Sequence, residues 1–209
     1  MSSSSHARIL GIIGALAPAV YLITVLVGGF LWQDYSHIRD TVSTLTSAGA
    51  PNQEVMVPLF AIYNIFVIAL AAGLYLGVEG KKPMLTSALI GAAGVDGLVL
   101  FAFPQDYPQG PPVTFTGTMH VAVAGIGALV SLLAMAALFF ELRRVKGWGT
   151  IAKISIILLP IAVAVGGFGA ASITTAYAGL AERLSIGTIL IWIEIVALGV
   201  ITRNKKAGS

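Results

Sequence analysis

The chain has 209 residues, of which 57% are hydrophobic and only 10% charged, with a net charge of +3 and no cysteine. Soluble domains carry about 25% charged residues, so this chain has too little polar surface to cover a water-facing globule, and its mean hydropathy of +0.92 agrees. The missing cysteine excludes a disulfide framework, a thiolate metal site and a cysteine nucleophile, and the small positive charge requires no nucleic-acid partner.

Six long apolar runs, at about residues 9–32, 55–78, 84–103, 117–140, 150–172 and 184–201, alternate with short polar connectors. At about 1.5 Å per helical residue, each can cross a hydrocarbon core of roughly 30 Å. None alternates apolar and polar positions as a barrel stave does. The expected fold is therefore all-α, one integral membrane bundle of six transmembrane helices over residues 1–209. Arg8 ahead of an apolar run has the shape of a signal peptide, but the run continues to Trp32, and an uncleaved first span is the better reading.

The first long connector carries Ile38, Val42 and Leu45 at i, i+4 and i+7. That stripe predicts a short amphipathic helix lying at the membrane interface, capped by Asp34 or Ser36 and ended by Gly49 and Pro51. Asn52 then stands where the second span needs an N-cap. His37, Asp40 and Ser43 are the chemistry-bearing residues of this segment.

Small residues recur at helical spacing in the first span (Gly11, Gly14, Pro18), the third (Gly91, Gly94, Gly97) and the fifth (Ala164, Gly167, with Ala170 or Ala171). They let helices approach closely where burial against lipid gives no preference. Asn64, Asp96 and Glu194 lie deep in their spans, about 12–15 Å below the ends by helical rise. A charged group there costs on the order of 2.5–3.5 kcal/mol on insertion scales, so it is expected to face the bundle interior with a partner. They read either as a hydrogen-bonded clasp between helices or as a proton or cation pathway.

Asp106 closes the third span. His120 begins the fourth, above a small-residue face of Ala124, Gly127 and Ser131 that should turn it into the bundle. Glu182 and Arg183 precede the sixth. Together with His37 and Asp40 they form a candidate outward-facing polar pocket. In it His120 serves as general base or metal ligand, Asp106 or Asp40 orients it, and Arg183 stabilises an oxyanion. Ser36 or Ser43 is the candidate nucleophile. A divalent metal on His120, Asp106 and His37 is the cofactor such residues suit, although no H-x-x-x-H or H-E-x-x-H spacing is present. The plainer alternative is that these groups cap helices and solvate loop ends.

Lys and Arg divide sharply. Arg8, Lys81, Lys82, Arg143, Arg144, Lys146, Lys153, Arg203, Lys205 and Lys206 fall on one side, and only Arg39 and Arg183 on the other. The positive-inside rule predicts a multi-pass protein of the cell membrane with both termini in the cytoplasm and connectors 34–54, 104–116 and 173–183 outside.

The motifs Tyr35-Ser36-His37-Ile38-Arg39-Asp40-Thr41-Val42-Ser43, Gly49-Ala50-Pro51-Asn52, Phe103-Pro104-x-Asp106, Gly117-x-x-His120 and Glu182-Arg183-Leu184 fall in order along the chain. In this the chain resembles the bacterial and archaeal six-span family catalogued as domain of unknown function 998. The resemblance implies a six-helix membrane protein and no established reaction, and it marks Tyr35, Asp40, Ser43, Pro104, Asp106, His120 and Arg183. A fainter likeness is to eukaryotic six-span proteins of the DRAM kind, which also place a serine-rich motif ending in Gly-x-Pro before the second span. Some of these take part in lipid-anchor remodelling, which favours membrane lipids as partners. Three functions follow as alternatives: a lipid-handling or lipid-modifying protein working at the outer interface, a small transporter using Asp96 and Glu194, or a non-catalytic scaffold or sensor.

Overall fold

The structure, a computed structural model, describes residues 3–80 and 82–203. Lys81, Lys205 and Lys206, counted above for orientation, lie outside the described residues. Six helices follow one another: α1 Ser3–Leu31, α2 Gln53–Gly77, α3 Met84–Val99, α4 Phe115–Leu142, α5 Gly149–Ala171 and α6 Ala178–Arg203, with no strand among the described residues. A 3-10 turn, Leu100–Ala102, prolongs α3. All six are long and apolar enough to cross a membrane, and large apolar side chains such as Leu26, Phe30, Phe140 and Ile157 stand exposed on their outer faces. Such a surface is stable in hydrocarbon and not in water. This is a multi-pass membrane protein.

Successive helices pack antiparallel in a ring that α6 closes against α1. At one end, the basic end, the connectors are short and turn on glycines in the left-handed region, Gly80 at φ 74° and Gly147 at φ 82°, where a side chain would be strained. Glu141 at the foot of α4 accepts from the Leu85 and Thr86 amides and the Thr86 hydroxyl, capping α3, which has no side-chain cap of its own. The other end, called here the cap, carries the long connectors.

Two apolar clusters fill the ring. The larger lies toward the basic end and centres on Leu70, Leu74, Met135, Leu138, Trp192 and Val196. In it the Trp192 indole donates to Ser155 Oγ at 2.7 Å. The smaller lies under the cap, where Val42 and Leu45 of the first connector join Tyr21, Val25, Met56 and Phe60.

Several expectations need correction. The first connector is not a helix: it runs as turns with one 3-10 turn, Ser43–Thr46. Val42 and Leu45 are buried as the stripe requires, but Ile38 is exposed. Asn52 precedes α2 in a left-handed conformation and makes no side-chain cap, donating instead to Leu31 O. The fifth-span stripe packs against nothing: Ala164, Gly167 and Ala170 are exposed. In the first and third spans the small residues do serve contact, Gly14 against Leu70 and Gly94 against Ile68. Finally, α6 begins at Ala178, so Glu182 and Arg183 belong to its second turn and not to a loop.

Ser155 and Trp192 are both fully buried, so Ser155→Ala leaves an indole N–H without a partner, at a cost of about 1–3 kcal/mol. We expect it to lower the thermal midpoint in detergent by several degrees; an unchanged midpoint would place that indole at the surface.

Candidate functional site

The start of α6 and the first connector complete each other. The Gly179 and Leu180 amides, which have no partner within the helix, donate to Arg39 O at 3.2 Å and Ile38 O at 2.9 Å. Arg183 reaches back from the second turn and continues the series. Its Nη1 donates to Asp40 O at 2.9 Å and to Gly179 O at 2.8 Å. Its Nη2 donates to Tyr35 Oη at 2.5 Å and to His37 Nδ1 at 3.2 Å. Glu182 works in the opposite sense, accepting from the Val42 amide and from Ser43 Oγ.

Each partner is held in the form its bond requires. Burial pushes the Tyr35 hydroxyl up to about 12 against the pull of Arg183, so it keeps its proton and donates to Thr41 O. Burial, then the neighbouring guanidinium, lowers the His37 imidazole, which leaves Nδ1 free to accept. The imidazole rests on Gly29 of α1, where a Cβ would fall 2.5 Å from Nε2. Burial raises the Asp40 carboxyl, but the Arg39 side chain and the Ser36 amide outweigh it and the group lies below its usual value. Asp40 forms an ion pair with Arg39 at 2.8 Å.

Asp106 and His120 form a separate group. The Asp106 carboxylate accepts from the Val113 and Thr114 amides at 2.8 and 3.0 Å and from the Thr114 hydroxyl. Thr114 is in turn the N-cap of α4, accepting from Gly117 N at 2.9 Å. The carboxylate lies directly over Gly117, where any Cβ would collide with it. A carboxylate at a helix N-terminus also meets the positive end of the helix dipole. His120, one turn further on, is buried as the small-residue face implied. Its Nδ1–H donates to Phe103 O at 2.8 Å, the carbonyl fixing the tautomer.

The six-residue pocket expected above therefore divides in two. Between the halves lie Thr41 and Thr44, bonded to each other at 2.7 Å and to Gln105 and Gln109 of the α3–α4 connector. Gln109 spans the seam, accepting from Thr41 N at 2.9 Å and donating to Arg39 O at 2.8 Å. The two glutamines and two threonines carry no catalytic signature, and nothing in their spacing marked them. Neither candidate serine is bonded to a histidine: Ser43 donates to Glu182 and Ser36 accepts from Arg39 N. Nor do three His, Asp or Glu side chains converge there as a metal would need, so His120, Asp106 and His37 are not one ligand set.

The deep polar residues are dispersed as well. Asn64 donates to Phe60 O of its own helix at 3.0 Å and seats its amide on Gly97 of α3. Asp96 lies against Gly127 of α4. Glu194 faces neither of them. It lines a groove of about 380 Å³ between α1 and α6, with Pro18, Leu22, Gly187, Leu190 and Ile191. Leu22, Gly187 and Leu190 continue into a second space of about 120 Å³ beneath the cap, lined also by Tyr21, Val25 and Arg183. Apart from Glu194 and Arg183, the side chains along the groove and the space beneath the cap are apolar or, in Tyr21, aromatic. Leu22 and Ile191 on its rims are exposed on the lipid-facing surface.

The family model described as "Protein of unknown function (DUF998)" matches residues 15–199, and the chain belongs to that family. No curated protein and no solved structure matches it.

The Thr114 hydroxyl and the Val113 and Thr114 amides hold the Asp106 carboxyl below the usual carboxylate range. Its bonds are therefore complete above about pH 4 and are lost as the pH falls through the lowered value. Hydrogen exchange at Val113 and Thr114 should accelerate in that acid window and, in Asp106→Asn, already at neutral pH. Equal protection in the variant would mean that the carboxylate does not hold this connector.

Proposed function

We propose that this member of the family binds a membrane lipid from the leaflet at its cap end. An acyl chain lies in the groove between α1 and α6, and the lipid head meets the polar cap built by the first connector and the start of α6. The observation that carries this reading is that the groove and the space beneath the cap share Leu22, Gly187 and Leu190 as walls. The wall is largely apolar, as an acyl chain requires, and the polar first connector stands above its cap end. Trp32 packs against Tyr35 and Tyr107 at the cap, aromatic residues of the kind that sit at headgroup depth.

In this reading the cap is the outer face. Arg8, Lys82, Arg143, Arg144, Lys146 and Lys153 gather at the opposite end, which faces the cytoplasm together with both termini. Binding is better supported than catalysis, since Ser43, Asp106 and His120 hold connectors and neither Ser36 nor Ser43 is bonded to a histidine. It is also better supported than a proton path through Asp96 and Glu194. Those two lie on α3 and α6, which are not neighbours in the ring.

Gly187 supplies the test. A Cβ there meets nothing within 4 Å, and Gly187 lines the groove, so Gly187→Trp is expected to project its indole into that space. Native mass spectrometry of protein purified in neutral detergent should show lipid retention reduced about tenfold, or about 1.4 kcal/mol, with the thermal midpoint unchanged. Equal retention by the two proteins would remove the groove as a lipid site.

A further inference from the structure

The connector between α4 and α5 sorts its side chains by charge. Val145 and Trp148 turn inward to the larger apolar cluster, with the left-handed Gly147 between them. Arg143, Arg144 and Lys146 are left exposed on the outside. Two further cations join them. Arg203, from the last turn of α6, holds its guanidinium 4.9 Å from the Trp148 ring centroid and donates through Nε to Gly147 O. Lys153 stands exposed one turn into α5. None of the five makes an ion pair among the described residues. Arg203 is bonded to backbone carbonyls and a threonine hydroxyl, all uncharged. Glu141, the carboxylate closest in sequence, is taken by the Leu85 and Thr86 amides. Lys82, at the same end of the bundle, differs in that its ammonium is bonded to Leu76 O and Val78 O. Like charges gathered at one corner repel one another, and a bound anion relieves the repulsion.

These cations also border the hydrocarbon-facing surface. The Arg143 guanidinium lies 5.7 Å from the ring centroid of Phe140, and Phe140 is 63% exposed. Lys153 precedes Ile157, equally exposed, by four residues on one face of α5. A partner that meets both the charges and this apolar border has an anionic head on hydrocarbon chains. We infer that the α4–α5 corner binds the phosphate head of an anionic phospholipid from the leaflet at the basic end, with the acyl chains against Phe140 and Ile157. The site is separate from the groove between α1 and α6 and does not depend on it.

The test uses the full chain in neutral detergent and three probes: dioleoyl phosphatidylglycerol, dioleoyl phosphatidylcholine with the same chains and no net charge, and glycerol 3-phosphate without chains. Binding is read by native mass spectrometry and thermal shift. Phosphatidylglycerol should bind about tenfold more tightly than phosphatidylcholine, and glycerol 3-phosphate should produce no shift. The side chains of Arg144 and Lys146 make no bond, ion pair or ring contact among the described residues, so Arg144→Gln/Lys146→Gln leaves the fold intact and should remove most of the preference. Arg8→Gln, at the same end but across the ring, should keep it, and so should Gly187→Trp in the groove. Equal binding of the two lipids, or a preference untouched by the double variant, overturns the inference. A fall in Arg8→Gln as large as in the double variant would show a diffuse charge effect and overturn a site at this corner. Glycerol 3-phosphate binding as tightly as phosphatidylglycerol would overturn the commitment to lipid.

Discussion

The first turn of a helix presents N–H groups with no partner inside the helix, and a connector that forms no helix presents carbonyls with none. At the edge of a hydrocarbon layer water is too scarce to serve either, and an unmet backbone group costs several kcal/mol. Here the two deficits cancel. Carbonyls 38, 39 and 40 accept in order from Leu180, Gly179 and Arg183, while the Val42 amide donates to Glu182. The first connector is thereby fixed across α6, and Val42 and Leu45 are delivered into the apolar cluster between α1 and α2. The position of Arg183 follows from this exchange.

Glycine makes the exchange sterically possible. Gly179 admits the Asp40 carbonyl, Gly29 lies under the His37 imidazole, and Gly117 lies under the Asp106 carboxylate. In each case a connector's polar group rests on a helix where a Cβ would stand. The first connector and the α3–α4 connector are thus seated on helix backbones and then joined to each other through Thr41, Thr44, Gln105 and Gln109. The cap is one hydrogen-bonded layer, and the groove below it opens where α1 and α6 leave space between Leu22 and Gly187.

The spans were legible because apolar length is summed over many residues. Burial of Val42, Leu45 and His120 was legible from helical spacing for a similar reason. The amphipathic helix was not realised, since side chains compete for the backbone it needed. Asp40 takes the Ser36 amide, Tyr35 takes the Thr41 carbonyl and Glu182 takes the Val42 amide. The role of Arg183 was not readable locally because its partners in the first connector lie more than 140 residues away in the chain. The clasp of Asn64, Asp96 and Glu194 failed for a related reason. Depth places residues at one level of a bundle, but only the order of helices around the ring decides which of them meet.

The central claim is that the first connector is docked on the start of α6. Ile38 and Leu180 are hydrogen-bonded through their backbones at 2.9 Å, both side chains are exposed, and the chain contains no cysteine, so cysteines placed at 38 and 180 would be the only two. Spin labels on Ile38→Cys/Leu180→Cys should give a single short, narrow distance distribution in detergent and in bilayers. A broad distribution extending to the width of the bundle would contradict the account.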